Sequence, residues 1–192
     1  MQINADINIK SLESAFASLG KQAPFAMALS LTKTAQQAQK DATQELDKDL
    51  DNPTPFTKKA VGIKKATKTS QVAHVFIKDK QASYLKYQIK GGTRTASKGQ
   101  QVVIPQYKQR NKYGNLPRNK LRRLREQGDM VVFKDGMIAQ RTKRGLKPIA
   151  FQSKQATYKP RYDFHQTVIR SARKNGKHEA IKAIRQAINT AR

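Results

Sequence analysis

Apolar residues recur at helical spacing through the first quarter of the chain. One apolar face is formed by residues spaced by four and three positions, Leu12, Phe16 and Leu19. Gly20 and Pro24 interrupt this face, and since proline suits the first turn of a helix, we expect a second helical segment to begin at Pro24. Alanine and glutamine are frequent over residues 35–44, so a neighbouring element can approach one side closely. We therefore predict a helical N-terminal segment over residues 1–51.

Alternating apolar and polar positions in the middle of the chain predict a small, mostly antiparallel sheet. Residues 69–79 alternate with apolar side chains on both faces, which predicts a central strand. A short strand is expected to end at Pro105. Asp135–Gly136 separates two alternating runs and favours a two-residue type I′ turn, so we expect a hairpin there. The run around Pro148 should lie at a sheet edge, because proline donates no ladder hydrogen bond.

Glycines are predicted to end or interrupt helices further along the chain. Tyr84 and Leu85 begin a helical pattern that Gly91–Gly92 ends. The polar, Gly-containing residues after this point predict a flexible loop over residues 91–101. Asn175–Gly176 predicts a break that divides the C-terminal helical pattern into two helices.

A basic segment is predicted to form a separate helix. Pro117 suits its first turn, Leu121 and Leu124 share one side, and Gly128 lies where a C-cap glycine belongs, so we expect about three turns. With the other elements, this predicts an α+β fold with a long N-terminal helix, a small mostly antiparallel sheet with a hairpin, and C-terminal helices. A chain of this length favours one core, so we predict a single domain over residues 1–192.

Positive charge dominates the composition. The chain has 39 Lys and Arg against 13 Asp and Glu, a formal net charge of +26, and such self-repulsion is usually offset by an anionic partner. The charge is uneven: residues 1–51 carry −2 and the remainder +28. No apolar run approaches the length of a membrane span, so we expect no membrane partner.

Basic residues are densest on either side of position 115, with Tyr107 and Tyr113 interleaved. The set expected to face DNA is Lys108, Arg110, Lys112, Arg118, Lys120, Arg122, Arg123 and Arg125. One interpretation is contact with DNA phosphates without sequence preference. The other is a solvated face, or a partner for acidic protein surfaces such as the end of the first helix in a neighbouring copy.

Two features of residues 47–56 suggest contacts between subunits. Pro53 and Pro55 predict an extended segment with Phe56 at its tip, which either inserts into a neighbour's groove or is an ordered loop whose Phe56 fills its own core. The acidic residues before it, Asp47, Asp49 and Asp51 among them, form an acidic end. An acidic end and a basic body allow head-to-tail contacts that close into rings.

Groups that could perform catalysis are sparse. The three histidines, His74, His165 and His178, lie far apart in sequence, and cysteine is absent. The Gly-containing loop has the wrong residue order for a phosphate-binding loop, and acids outside the N-terminal segment are scattered. We therefore expect no enzymatic activity, no cofactor and no metal ion.

The order of these segments resembles the minor tail and tail-completion proteins of long-tailed bacteriophages, the lambda Z-type proteins of the neck. The resemblance covers most of the chain as an ordered pattern. It is carried by these stretches: Asn52–Thr57 (NPTPFT), Tyr84–Arg94 (YLKYQIKGGTR), Asn111–Leu124 (NKYGNLPRNKLRRL) and the closing residues 165–192.

The resemblance implies a structural role at the head-proximal end of a phage tail. Such proteins complete the tail and join it to the capsid connector, as rings, typically of six copies, around the DNA channel. The implied partners are further copies of the chain, the tail terminator, the head–tail connector and genomic DNA bound without sequence preference. The implied location is the virion, after synthesis in the bacterial host cytoplasm. Two alternatives stay open: a nucleoid-type DNA- or RNA-binding protein, and a nuclease or other DNA-processing enzyme.

Overall fold

A computed structural model describes residues 13–96 and 101–190 and confirms the predicted α+β class. Leu12 and residues 97–100 of the predicted flexible loop lie outside this range. The α-helices are α1 Glu13–Ala17, α2 Ala23–Asp49, α3 Pro55–Lys58, α4 Asp79–Lys90, α5 Lys120–Glu126 and α6 Phe164–Thr190. The strands are β1 Val61–Lys64, β2 His74–Ile77, β3 Gly92–Thr95, β4 Val102–Pro105, β5 Met130–Val132, β6 Met137–Thr142, β7 Gly145–Ser153 and β8 Gln155–Tyr158.

The chain forms two compact units. The helical unit comprises Met1–Leu50, Pro55–Leu85 and Tyr162–Arg192. The sheet unit comprises Asp51–Thr54 and Lys86–Arg161. The prediction of one domain over residues 1–192 stays a prediction.

An antiparallel pair of long helices, α2 and α6, forms the centre of the helical unit. The hydroxyl of Tyr162, just before α6, donates to the carbonyl of Ala42 near the end of α2 at 2.8 Å. At the opposite end, Ala26 of α2 clusters with Ala180 and Ala187 of α6. The buried positions of both helices are mostly small, as the alanine-rich residues 35–44 predict for α2. They are Ala26, Ala28, Ala35, Ala38 and Ala42 on α2, and Ser171, Ala172, Gly176, Ala180, Ala183 and Ala187 on α6.

The predicted break within the C-terminal helical pattern is wrong, because α6 continues through Asn175 and Gly176. Gly176 is buried in the row of small residues. Its lack of a side chain therefore serves packing rather than a turn. By contrast, the interruption predicted between the first two helices is confirmed: Gly20 has φ +50°, and Pro24 lies in the first turn of α2.

Strand β2 lies in a two-stranded antiparallel sheet with β1 instead of at the centre of a larger one, so the prediction of a central strand is wrong. Val75 and Ile77 are buried on one face. On the other face Phe76 pairs with Gly62, where an added Cβ would come within 2.9 Å of the Phe76 ring. The second apolar face therefore covers a glycine of the partner strand.

Antiparallel strands in the order β4-β7-β6-β5 form the main sheet of the sheet unit. Strand β7 is central, so its predicted edge position is wrong. The proline is tolerated because β4 pairs only with Ala150–Ser153, which leaves Pro148 with β6 as its sole neighbouring strand within the described sheet. The ladder between β6 and β7 also has an irregularity at this point, between Ile138 and Ala139.

The predicted hairpin is confirmed, and its turn differs from the expected type. Gly136 donates to the carbonyl of Phe133 at 3.0 Å, and Phe133 donates to that of Met137 at 2.9 Å, so three residues form the loop. Gly136 has φ +90°, and a Cβ there would clash with the carbonyl oxygen of Gln152. The hairpin therefore uses a three-residue loop with a left-handed glycine instead of a two-residue type I′ turn.

Two other segments differ from their predictions. Gly92–Thr95, within the predicted loop, forms β3 and pairs with β8. Alternation in these short polar strands is too weak to reveal the pairing. The segment predicted to be extended instead forms one helical turn from Pro55, in α3, because proline also suits a first helical turn. Phe56 is 53% exposed, so it does not fill its own core.

Candidate nucleic-acid interface

The basic helix α5 is packed on the sheet by its leucine side. Leu124 is 1% exposed and clusters with Ile138, Ile149 and Ala150, while Leu121 packs against this cluster. Gly128, with φ +72°, donates to the carbonyl of Arg125 just after the helix, as the predicted C-cap requires. The helix has seven residues, so it is shorter than the predicted three turns. It begins late because Asn119 is left-handed, with φ +63°.

All eight residues predicted to face DNA lie in the sheet unit, and all are exposed except the half-buried Lys120. Three of them are held by weak local contacts: Arg122 lies 3.6 Å from Glu126, Lys120 donates to Gln140 at 3.2 Å, and Arg110 donates to the carbonyl of Pro105 at 3.1 Å. Within the described residues, five have no hydrogen-bond or ion-pair partner for the side chain: Lys108, Lys112, Arg118, Arg123 and Arg125. Their charges are therefore open to an external anion.

Aromatic rings accompany these cations. Tyr107 is 82% exposed, and the Arg110 guanidinium lies 5.8 Å from its ring centroid. The Lys112 ammonium lies 5.1 Å from the ring of Tyr113. The tyrosines and basic residues that alternate in this part of the sequence thus form two cation–π contacts in the structure.

A groove of about 360 Å³ lies between β4 and the start of α5. Apolar residues that line it include Val103, Pro105, Leu116, Pro117 and Leu121. Three cationic residues also line it, Arg118, Lys120 and Arg122. The groove therefore combines apolar surface with positive charge.

The positive surface extends beyond the predicted residues to the turn between β6 and β7. Gln140, which accepts from Lys120, pairs with Lys147 across the two strands, so their side chains share a face of the sheet. Arg141, Lys143, Arg144 and Lys147 are all exposed. This cluster is visible as a basic run in the sequence, but only the strand register shows that Lys147 is next to the residue that contacts α5.

The residues predicted at a subunit interface divide between internal pairs and exposed positions. Asp47 forms an ion pair with Lys58 at 2.6 Å, and Asp51 forms one with Arg161 at 2.9 Å. The hydrogen bond from Arg161 and its positive charge hold the pKa of Asp51 below its ordinary value. Asp49 is half-buried, Pro53 is buried, and Pro55 and Phe56 are exposed. Contact with another subunit stays a prediction for all six.

The acidic end also acts on a buried tyrosine of the helical unit. Burial of Tyr162 is the main cause that raises its pKa, and the charges of Asp49 and then Glu45 add to it. The neutral phenol is therefore favoured, and it is this form that donates the hydrogen bond to Ala42.

Residues 13–96 and 101–190 contain no group of three or more His, Asp or Glu side chains that could hold a metal ion. His74 lies on β2, and His165 and His178 lie on α6. Among the described helices, none is long and apolar enough to cross a membrane.

Comparison of the chain with protein-family models, curated proteins and solved structures finds no match.

Proposed function

We propose that the protein is a structural component of a phage neck that completes the head-proximal end of the tail, joins it to the capsid connector and contacts the DNA in the channel. It acts without catalysis, as a ring of six copies between the tail terminator and the head–tail connector. It is made in the host cytoplasm and resides in the virion. The order of segments along the chain, which resembles that of tail-completion proteins, motivates this role.

The observation that carries the DNA-contacting part is the charge of the sheet unit. It holds 20 Lys and Arg against four Asp and Glu, a net formal charge of +16. Two of the four acids, Glu126 and Asp51, already pair with arginines of the same unit. Little negative charge is left to compete with an external polyanion.

The arrangement of the basic side chains also supports contact with DNA that does not depend on the base sequence. Helix α5 has its leucines on the sheet and Arg122, Arg123 and Arg125 toward solvent. Long, exposed cationic side chains suit phosphates along a backbone, whereas reading bases in a groove requires an element shaped to enter it. A neck protein must also release DNA, so we expect modest affinity that falls steeply with salt.

Native mass spectrometry and duplex-DNA titration at low and high salt test the proposal together. The expected result is a discrete ring of six copies whose duplex binding disappears at high salt. A protein that coats duplex DNA in proportion to its length, without a discrete oligomer, would contradict the neck role and support the nucleoid-type alternative.

A charge-matched pair of variants tests which surface binds. Replacing Arg122, Arg123 and Arg125 by Gln should lower the slope of log affinity against log salt by up to about three, since each phosphate contact contributes about 0.9. The control replaces three exposed cations of α6, Arg173, Lys174 and Lys177, which removes the same net charge. Equal losses in the two variants would mean that net charge alone, and no particular surface, drives binding.

A further inference from the structure

We propose that the groove between β4 and the start of α5, together with Tyr107, binds single-stranded DNA, so that the sheet unit holds an unpaired strand in preference to duplex. This inference rests on the proposed function, because it specifies the form of DNA that the same surface takes.

The exposure of Tyr107 is the first observation. Tyr107 is 82% exposed, the largest fraction among the large hydrophobic residues described as exposed. Its backbone belongs to a hydrogen-bonded turn: Tyr107 begins a short 3₁₀ turn, Tyr107–Gln109, and its carbonyl accepts a hydrogen bond from the Arg110 N–H at 3.2 Å. A ring presented to solvent on such a turn can serve as a stacking surface for a base.

Arg110 connects this ring to the groove. Its guanidinium lies 5.8 Å from the Tyr107 ring centroid, and its Nε donates to the carbonyl of Pro105 at 3.1 Å. Pro105 itself lines the groove. The ring, the guanidinium and the groove therefore form one continuous surface within the sheet unit.

The groove offers what an unpaired nucleotide needs. Val103, Leu116 and Leu121 give it apolar surface, and Arg118 and Arg122 supply charge beside it. Bases in a duplex have their faces covered by their neighbours, so only an unpaired strand can place bases against Tyr107 and apolar side chains while its phosphates contact the cations. Duplex DNA would use the arginines alone.

An acidic peptide could also use the cationic side chains. It would gain less from a solvent-exposed ring that already bears a guanidinium, since carboxylates have no stacking face. The structure therefore favours a single strand, and the peptide becomes an outcome of the test.

The experiment is fluorescence anisotropy of the full chain at low salt, with labelled oligothymidylate of about 12 nucleotides, within the usual site size, and a blunt duplex of equal length. Oligothymidylate should bind more tightly than the duplex. Tyr107→Ala should weaken single-strand binding by about 5- to 150-fold, the range for loss of one stacked base, and change duplex binding less than about twofold. Tyr107→Phe keeps the stacking face and should retain binding.

Ile188→Ala is the control, because it removes another exposed large apolar side chain, from α6 of the helical unit. It should leave both affinities unchanged. Duplex binding that equals single-strand binding and is insensitive to Tyr107→Ala would overturn this inference and leave the proposed function standing. Failure to bind either DNA would overturn both. Failure to bind single strands together with binding of a polyglutamate peptide of the same length would assign the groove to an acidic protein partner.

Discussion

The helical unit and the sheet unit bury their side chains in different ways. Along α2 and α6, most buried positions are small, chiefly alanines with Gly176, and a few larger side chains such as Leu46 and Phe164 are buried among them. In the sheet unit a core cluster of four buried residues, Leu124 among them, joins α5 to the main sheet. Loss of Leu124 should therefore cost more than loss of any one alanine of α2 or α6, whereas addition of bulk should cost more at those alanines.

The two units also differ in how charge is arranged. The helical unit has 19 basic and nine acidic residues. One of its grooves is lined by side chains of both charges, Asp41 and Glu45 together with Arg170 and Lys174. The sheet unit is more positive, at +16 against +10, in a shorter stretch of chain. The sheet unit, in which α5 packs on one small cluster, therefore also carries the stronger electrostatic self-repulsion. Salt or a bound polyanion lowers this repulsion.

The largest expected effect is on the sheet unit. Leu124→Ala should lower the free energy of unfolding by about 2 to 5 kcal/mol, because it removes a fully buried leucine and leaves a cavity under α5. Urea denaturation followed by circular dichroism measures this loss. Ile188→Ala, at a 57% exposed position, is the control and should change stability by no more than about 0.5 kcal/mol. Equal effects of the two variants would show that Leu124 is not part of a packed core.

A smaller loss is expected when bulk is added between α2 and α6. Ala42→Leu should cost about 1 to 3 kcal/mol, because Ala42 is fully buried where the helices meet. Thermal denaturation of this variant can be compared with that of Gln44→Leu, which adds an apolar residue at an exposed position of the same helix. Comparable stability of the two variants would mean that the helices are loosely packed at Ala42.

Next in size is the buried phenol. Tyr162→Phe should cost about 1 kcal/mol at neutral pH, since it removes the hydrogen bond to Ala42. Because the folded state raises the pKa of Tyr162, its contribution is complete below the unfolded value of about 10 and is lost as pH rises toward the folded value. The wild-type chain should therefore lose stability above about pH 10 more steeply than Tyr162→Phe. Parallel stability curves between pH 8 and 11 would contradict this.

The smallest effect concerns a surface pair of the sheet unit. Arg161→Gln should raise the pKa of Asp51 toward its ordinary value, because the hydrogen bond and the positive charge are both lost. In the wild-type chain the pair stabilises the fold above the ordinary carboxyl pKa, and this contribution is lost as pH falls through the lowered value. Carbon-13 NMR titration of the Asp51 carboxyl measures the change. Lys58→Gln breaks the other pair, with Asp47, and should leave the Asp51 titration unchanged.

The sequence predicted those elements whose signals are local. Pro24, Gly91–Gly92 and Gly128 each mark an observed helix boundary, because the backbone preference of a proline or glycine acts at its own position. The inward side of α5 follows in the same way from Leu121 and Leu124. These signals required no knowledge of the rest of the chain.

Predictions failed where a distant partner decides the conformation. Glycine usually weakens a helix, but Gly176 belongs to the row of small buried residues on α6 and is part of the packing. Pro148 lies in a central strand because β4 stops short of it, and no local pattern gives the length of β4. The groove was missed for the same reason, since it joins Val103 to Arg118 across two elements.

The order of the elements along the chain has a consequence for synthesis on the ribosome. The alanine-lined side of α2 emerges early, whereas its partner α6 begins only at Phe164, after the whole sheet unit. At about 5–20 residues per second, the 114 residues between the two helices take roughly 6 to 23 seconds to make. During this time the face of the nascent α2 that packs on α6 is exposed, and this face is narrow and weakly hydrophobic. Alanine limits the apolar surface exposed during this time. A face of leucines would expose more and would bind chaperones or other nascent chains before α6 is made.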